Sequence, residues 1–422
     1  MSEINEEKII ELSGECFGCP AKPCQKGCPL ENDTTVFISL VKEQKYKEAF
    51  ELLAETTVLM PICGRVCPHT KQCQGKCIRG IKSDAVEIGK MEAFIGDLAL
   101  ENDWKFPVAD KEEKEYKVAI VGGGPAGLTC AQFLRRYGIQ VTLFEKYNTL
   151  GGILNHGIPD FRLDKVKLNK WIDKILESGI NVEYGKELGN NLSVGELEAN
   201  FDSIFLSFGA NVSTKMGIPG EELDGVYGGN EFLENGTILD LTGKTVVVSG
   251  GGNVAMDVSR TIKRSGAEHV YVVYRRSEKE MPAEQKEIDE AKEDGVEFLF
   301  QNNILTVNGN KDGKVKSIEC IKTELVQKEG ETRLSPVNIE GSNYELNCDY
   351  VIMAIGSKPE DDVVNSLGLE LDRKGRIVVD ENGRTSKKNI YAGGDIAENM
   401  GTVAYAARAG RNVAEAIVGS LQ

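Results

Sequence analysis

Val118-Ala119-Ile120-Val121-Gly122-Gly123-Gly124-Pro125-Ala126-Gly127 is the run on which the fold turns. Lys117 to Val121 reads as a short buried strand, because it is apolar, β-branched and closed by glycine. Gly122-x-Gly124-x-x-Gly127 then reads as a tight turn into a helix that runs to about Tyr137. A second strand, Val141 to Phe144, ends at Glu145. The pattern returns later in the chain. Thr245 to Ser249 is a buried strand, Gly250-x-Gly252-x-x-Ala255 the turn, and a helix runs to about Arg264. The strand Val270 to Tyr274 follows and ends at Arg275-Arg276. Each copy also has a later apolar strand closing on glycine, Asp202 to Ala210 in the first and Asp349 to Ser357 in the second. One such loop is a weak signal, but two copies, each set between strand and helix, are a strong one. The expected fold is α/β, with two Rossmann-like dinucleotide-binding domains.

Each loop does the same physical work. Its glycines let backbone N–H groups approach a pyrophosphate, and the positive end of the next helix stabilises the charge. The residue at the end of the second strand discriminates. Glu145 lies 23 residues beyond Gly122, where a carboxylate suits free ribose hydroxyls, as in FAD or NAD. Arg275 and Arg276 stand at the equivalent point of the second copy, where guanidinium groups suit a 2′-phosphate. FAD on the first loop and NADPH on the second is the simplest assignment, with NADH possible. Candidate contacts are Gly122, Gly124, Gly127 and Glu145 for the first nucleotide, and Gly250, Gly252, Asn253, Arg275 and Arg276 for the second. The run Asn389 to Asp395 is a strand ending in Gly393-Gly394-Asp395, and a helix starts near Thr402-Val403. Asp395 can bind sugar-alcohol hydroxyls, and that helix terminus suits negative charge on a reduced flavin.

Ahead of this machinery lie eight of the eleven cysteines, in two groups: Cys16, Cys19, Cys24, Cys28 and Cys63, Cys67, Cys73, Cys77. Only Cys16/Cys19 has the two-residue gap of a zinc knuckle, and the chain has just three histidines. The remaining gaps resemble ferredoxin-like runs that wrap an iron–sulfur cluster. The acidic start lacks the basic and apolar blocks of a signal peptide, and no apolar run is long enough to span a bilayer. A cytoplasmic setting is expected, which disfavours disulfides. The net charge of −16 argues against nucleic acid as a partner. Hydrophobic residues make up 41% of the 422, enough for packed cores. Between the cysteine groups, Thr35 to Leu53 has helical spacing, as does Val86 to Leu100, and the charged stretch 110–115 is a candidate linker.

Together these segments resemble the glutamate synthase small-subunit family of FAD/iron–sulfur oxidoreductases. That family includes the N-terminal part of dihydropyrimidine dehydrogenase and the large subunit of ferredoxin:NADP transhydrogenases. The motifs are Cys16-x2-Cys19-x4-Cys24-x3-Cys28-Pro29, Cys63-Gly64-Arg65-Val66-Cys67-Pro68-x4-Cys73-x3-Cys77, Gly151-Gly152 with Gly157 to Leu163, Tyr274-Arg275-Arg276 with Met281-Pro282-Ala283, and Gly393-Gly394-Asp395. The resemblance adds Gly152 and Arg162 as flavin contacts. It also implies two [4Fe–4S] clusters: one on Cys16, Cys19, Cys24 and Glu92, the other on Cys28, Cys67, Cys73 and Cys77, with Cys63 a thiol that binds no iron. A crossover at the Cys before Pro29 has a parallel in two-cluster ferredoxins.

The implied domains are a helical iron–sulfur domain (1–112), an FAD domain in two parts (113–230 and 349–422) and an NAD(P)H domain (231–348). The implied reaction runs from NADPH through FAD and the clusters to a larger catalytic or electron-accepting subunit, in a hetero-oligomer. No side chain is expected to act as acid, base or nucleophile at the hydride step. Alternatives are a dihydropyrimidine dehydrogenase subunit, an NADH-dependent ferredoxin:NADP oxidoreductase subunit, and a redox-sensing interaction protein. A flavin disulfide reductase needs a cysteine pair beside the flavin, whereas Cys130, Cys320 and Cys348 are isolated and read as small core residues.

Overall fold

The computed structural model describes residues 5–109, 114–235, 239–328, 330, 333–397 and 400–421. Most of the expected linker therefore lies outside the described residues. The chain forms two compact units: Met1–Asn155, Asp160–Ala210 and Pro359–Gln422 make the first, and His156–Pro159 with Asn211–Lys358 make the second.

In the first unit, Lys117–Val121 is the centre of a five-stranded parallel sheet. Gln140–Glu145 and then Asn181–Tyr184 lie on one side of it. Ser203–Leu206 and then Ile390–Ala392 lie on the other. The central strands are nearly continuous Val, Ile, Leu and Phe because helices cover a parallel sheet on both faces. The helix Pro125–Arg135 packs closely on Val403–Gly419. A Cβ at Gly410 would overlap the Ala126 carbonyl, so only glycine allows that approach.

The cysteine-bearing segment belongs to this unit and is helical: Thr34–Lys42, Tyr46–Ala54, Met60–Val66 and Ile88–Glu101. The last two cross at short range. A Cβ at Gly64 would lie 2.5 Å from the Ala93 amide nitrogen, and one at Gly96 would overlap Pro61. The aromatic rings of Phe50, Trp104, Phe106 and Trp171 join this segment to the helix Lys165–Leu176. The Trp171 indole N–H donates to the Val58 carbonyl at 2.7 Å.

The second unit repeats the first. Thr245–Ser249 is central, with His269–Tyr274 and Glu297–Phe300 on one side and Tyr350–Met353 and Val226–Gly228 on the other, all parallel. These pairings move the expected boundaries. Tyr350–Met353 hydrogen-bonds to Thr245–Ser249 and to Val226–Gly228, so residues 211–230 and 349–358 belong with the second sheet. This unit also contains an antiparallel sheet of Asn302–Gly309, Val315–Val326, Ser335–Asn338 and Tyr344–Asn347, which the sequence reading missed. Cys320 and Cys348 are buried in the core beneath it, and Cys130 is buried in the first unit, as expected of small apolar side chains. No helix among the described residues is long and apolar enough to cross a membrane.

Candidate functional site

The first glycine loop is shaped by contacts that exclude side chains. Gly122 has φ +103°, and a Cβ there would meet the Ser207 carbonyl at 2.7 Å. A Cβ at Gly127 would overlap the Gly122 carbonyl. Gly124, by contrast, faces open space, and Gly152 lies against its Cα. The amide nitrogens at the start of Pro125–Arg135 are thus approachable by an anion. Glu145 is buried at the strand end. Gly123 N–H donates to its Oε2 at 2.8 Å and Tyr147 N–H to its Oε1 at 3.0 Å. The two amides fix the carboxylate, whose oxygens still have lone pairs for ribose hydroxyls.

Gly394 packs over Ala126 and beside Ala406, which brings Asp395 to the same loop. Burial pushes the Asp395 carboxyl up, and the Arg376 guanidinium opposes that shift. Thr402 caps Val403–Gly419, its hydroxyl accepting from the Tyr405 amide at 3.4 Å. Arg162 is half-buried between the helices Ile153–His156 and Lys165–Leu176. Gly122, Gly124, Gly127, Glu145, Gly152, Gly394, Asp395, Thr402 and Val403 therefore gather in one unit, as a flavin nucleotide site requires.

The second loop follows the same logic. Gly250 has φ +143°, and a Cβ there would overlap the Ala354 carbonyl. Gly252 is nearly open, its nearest neighbour being Pro282 at 3.9 Å. Asn253 begins the helix Asn253–Arg264, and its side-chain oxygen accepts from the Glu284 amide at 3.1 Å. Arg275 is exposed at the strand end, while Arg276 donates to the Leu334 carbonyl at 3.1 Å. Arg333 was not foreseen. It donates to the Tyr274 hydroxyl at 3.2 Å and to the Glu280 carbonyl at 2.6 Å, which adds a third guanidinium beside the arginine pair. It comes from the antiparallel sheet region, some 58 residues beyond Arg275, so only the tertiary fold reveals it.

The eight N-terminal cysteines are free thiols. Cys16, Cys19, Cys24 and Cys77 line one cavity with Phe17, Ile78 and Arg79. Glu92 lies elsewhere, near Cys28, Cys63, Cys67 and Cys73, and its charge raises the pKa of all four. It has no such effect among the causes acting on Cys24. The structure thus places Cys77 beside Cys16, Cys19 and Cys24, and Glu92 beside Cys28, Cys63, Cys67 and Cys73, a grouping that differs from the implied ligand sets. The crossing of Met60–Val66 on Ile88–Glu101 is the cause, because it lays Glu92 beside the helix end that carries Cys67.

Glu92 is 6% exposed, and burial pushes its pKa up to about 8. The Asn32 amide donates to it at 3.4 Å and is itself oriented by the Thr56 hydroxyl, which donates to Asn32 Oδ1 at 2.6 Å. Burial, reinforced by Glu92, pushes Cys28 up to about 12. Cys63 is fully buried and hydrogen-bonded to Cys67. Thiols so burdened must release protons to bind metal, and iron is what stabilises their thiolates. Among the described residues, no three His, Cys, Asp or Glu side chains converge as they would on a single ion. A [4Fe–4S] cube holds its ligands further apart than one ion does, so the grouping of four suits a cluster.

The two centres meet at one point. The Ala404 amide, in the first turn of Val403–Gly419, lies beside the Cys67 sulfur and favours its thiolate. The Gln72 side chain donates to the Thr402 hydroxyl at 3.4 Å.

Comparison with known proteins agrees with this geometry. Residues 116–410 match the pyridine nucleotide-disulphide oxidoreductase family, and residues 1–104 match the model described as dihydropyrimidine dehydrogenase domain II, 4Fe-4S cluster. The chain is 35% identical to the glutamate synthase [NADPH] small chain of Escherichia coli (strain K12), over 99% of this chain and 93% of that one. It is also 35% identical to the NADPH-Fe(3+) oxidoreductase subunit beta of Geobacter sulfurreducens (strain DL-1 / KN400), over 90% of this chain and 57% of that one. Among solved structures, FprA from Mycobacterium tuberculosis in complex with NADPH aligns with a TM-score of 0.64 at 20% identity, over 73% of this chain and 85% of that one. The chain belongs to the glutamate synthase small-chain family of oxidoreductases, with a 4Fe–4S domain joined to the pyridine nucleotide-disulphide oxidoreductase fold.

Proposed function

We propose that the chain is the NADPH-oxidising subunit of a larger enzyme, passing electrons from NADPH through FAD and two [4Fe–4S] clusters to a partner. The observation that carries this reading is the junction at Val403–Gly419. One helix terminus serves the flavin site through Thr402 and Val403 and packs against Met60–Val66, with the Ala404 amide beside Cys67. A cluster ligand and the flavin pocket thereby share a rigid element, and electron transfer depends on such closeness. When bound, FAD accepts hydride and the clusters relay single electrons.

The chain's own residues bind, orient and insulate. Gly122 to Gly127 and Pro125–Arg135 hold the FAD pyrophosphate, Glu145 the ribose, and Asp395 the ribityl hydroxyls. Gly250, Gly252 and Asn253 hold the NADPH pyrophosphate, with Arg275, Arg276 and Arg333 around the 2′-phosphate. Cys16, Cys19, Cys24 and Cys77 bind one cluster. Cys28, Cys67, Cys73 and Glu92 bind the other, the one nearer the flavin. Cys63 binds no iron and packs beside Cys67.

Anaerobic mixing with NADPH tests this. Flavin absorbance should bleach within a turnover, followed by the EPR signals of reduced clusters. NADPH binding without reduction would instead indicate a sensor. The isolated chain should form no glutamate from glutamine and 2-oxoglutarate, and doing so would overturn the subunit reading.

A further inference from the structure

The segments that carry the cysteines have a charge opposite to that of the molecule. Residues 16–30 and 63–83 contain seven Lys and Arg and no Asp or Glu, in a chain of net charge −16. At least three of the seven are engaged with neighbouring carboxylates: Lys22 pairs with Asp33, Arg65 with Asp97, and Arg79 with Glu15. Lys26, Lys76 and Lys82 are exposed and form no ion pair among the described residues. Lys26 follows Cys24 by two residues and Lys76 directly precedes Cys77, so both flank the cavity of Cys16, Cys19, Cys24 and Cys77. The Lys76 stem lies across Gly27, which brings it beside Lys26.

At the mouth of the same cavity stand large apolar side chains in water. Phe17 is 69% exposed, Ile78 44% and Ile81 77%. Phe17 and Ile78 line the cavity, and Ile81 lies three residues on in the 3₁₀ turn Ile78–Ile81, above Ile78. Folding gains nothing from leaving these groups exposed. An apolar centre inside a charged rim is the anatomy of a protein-binding surface.

We propose that this face docks an electron-accepting protein whose own contact surface is acidic, with Phe17, Ile78 and Ile81 at the centre and Lys26, Lys76 and Lys82 at the rim. The inference deepens the proposed function and rests on it. The rest of the molecule repels an acidic partner, so a cationic island both attracts and orients it. The island lies over the cluster set farther from the flavin junction, where electrons must leave.

The test uses the cluster-loaded chain and three acceptors under anaerobic conditions: oxidised flavodoxin, which is acidic, cytochrome c, which is basic, and menadione, which is small and uncharged. NADPH yields two electrons and one proton. Two flavodoxins each take one electron and one proton, the second proton coming from solvent, and NADP+ is left. Flavodoxin reduction should slow as salt is raised and should outpace cytochrome c. The triple variant Lys26→Glu/Lys76→Glu/Lys82→Glu should lower kcat/KM for flavodoxin about tenfold, while menadione reduction and cluster EPR persist. Phe17→Ser/Ile81→Ser should weaken flavodoxin binding without altering its salt dependence. A wild-type flavodoxin rate indifferent to salt, or faster cytochrome c reduction, overturns the docking surface even if the triple variant misfolds. Failure of NADPH to reduce the clusters at all would remove the proposed function instead.

Discussion

Glu92 is a carboxyl with almost no access to water, held by an amide and set among thiols. Its proposed role is as an oxygen ligand to the cluster of Cys28, Cys67 and Cys73. Glu92→Ala should therefore abolish the EPR signal of one cluster and leave the other, whereas Cys63→Ala should leave both and cost only about 1 kcal/mol of stability. Loss of a cluster in the Cys63 variant, with retention in the Glu92 variant, would exchange the two roles. At the second nucleotide, Arg275→Ala or Arg333→Ala should raise KM for NADPH about tenfold, because a charged hydrogen bond is worth about 1.5–3 kcal/mol, and should leave NADH untouched. Steady-state kinetics with both nucleotides would show it. Arg275 was legible in the sequence because it sits at a fixed distance from its loop. Arg333 and the placement of Cys77 and Glu92 beside their neighbours were not, since each depends on which distant segments the fold brings together.

Among the elements, the glycine loops and their strands could be read almost to the residue. Their information is local: a β-branched run, a turn that needs glycine, an apolar helix face. The antiparallel sheet between Asn302 and Asn347 was missed because its longest strand, Val315–Val326, mixes charged and apolar residues and has no glycine motif to mark it. The crossing of Met60–Val66 on Ile88–Glu101 was equally invisible, for it depends on the absence of side chains at Gly64, Gly89 and Gly96. Gly64→Ala places a methyl 2.5 Å from backbone on the facing helix. Overpacking of this kind costs about 1–3 kcal/mol. It should also separate Cys67 from Glu92, so iron content measured after reconstitution should fall along with the melting temperature.

At the scale of the whole molecule, the cysteine-rich segment and the first nucleotide-binding sheet belong to one compact unit, and the second sheet to another. A ligand that binds only the native state stabilises the unit that holds it. Stripping iron with a chelator should therefore lower the melting of the first unit and leave the second where it was. Calorimetry should show two transitions in the stripped protein, with only one of them restored by reconstitution.

The chain has two tryptophans, Trp104 and Trp171, and both belong to the aromatic patch that ties the cysteine-rich helices to Lys165–Leu176. Trp171 is 1% exposed, with its indole N–H bonded to the Val58 carbonyl. Ultraviolet emission thus originates at that seam, and it will brighten or shift when the iron-carrying helices loosen.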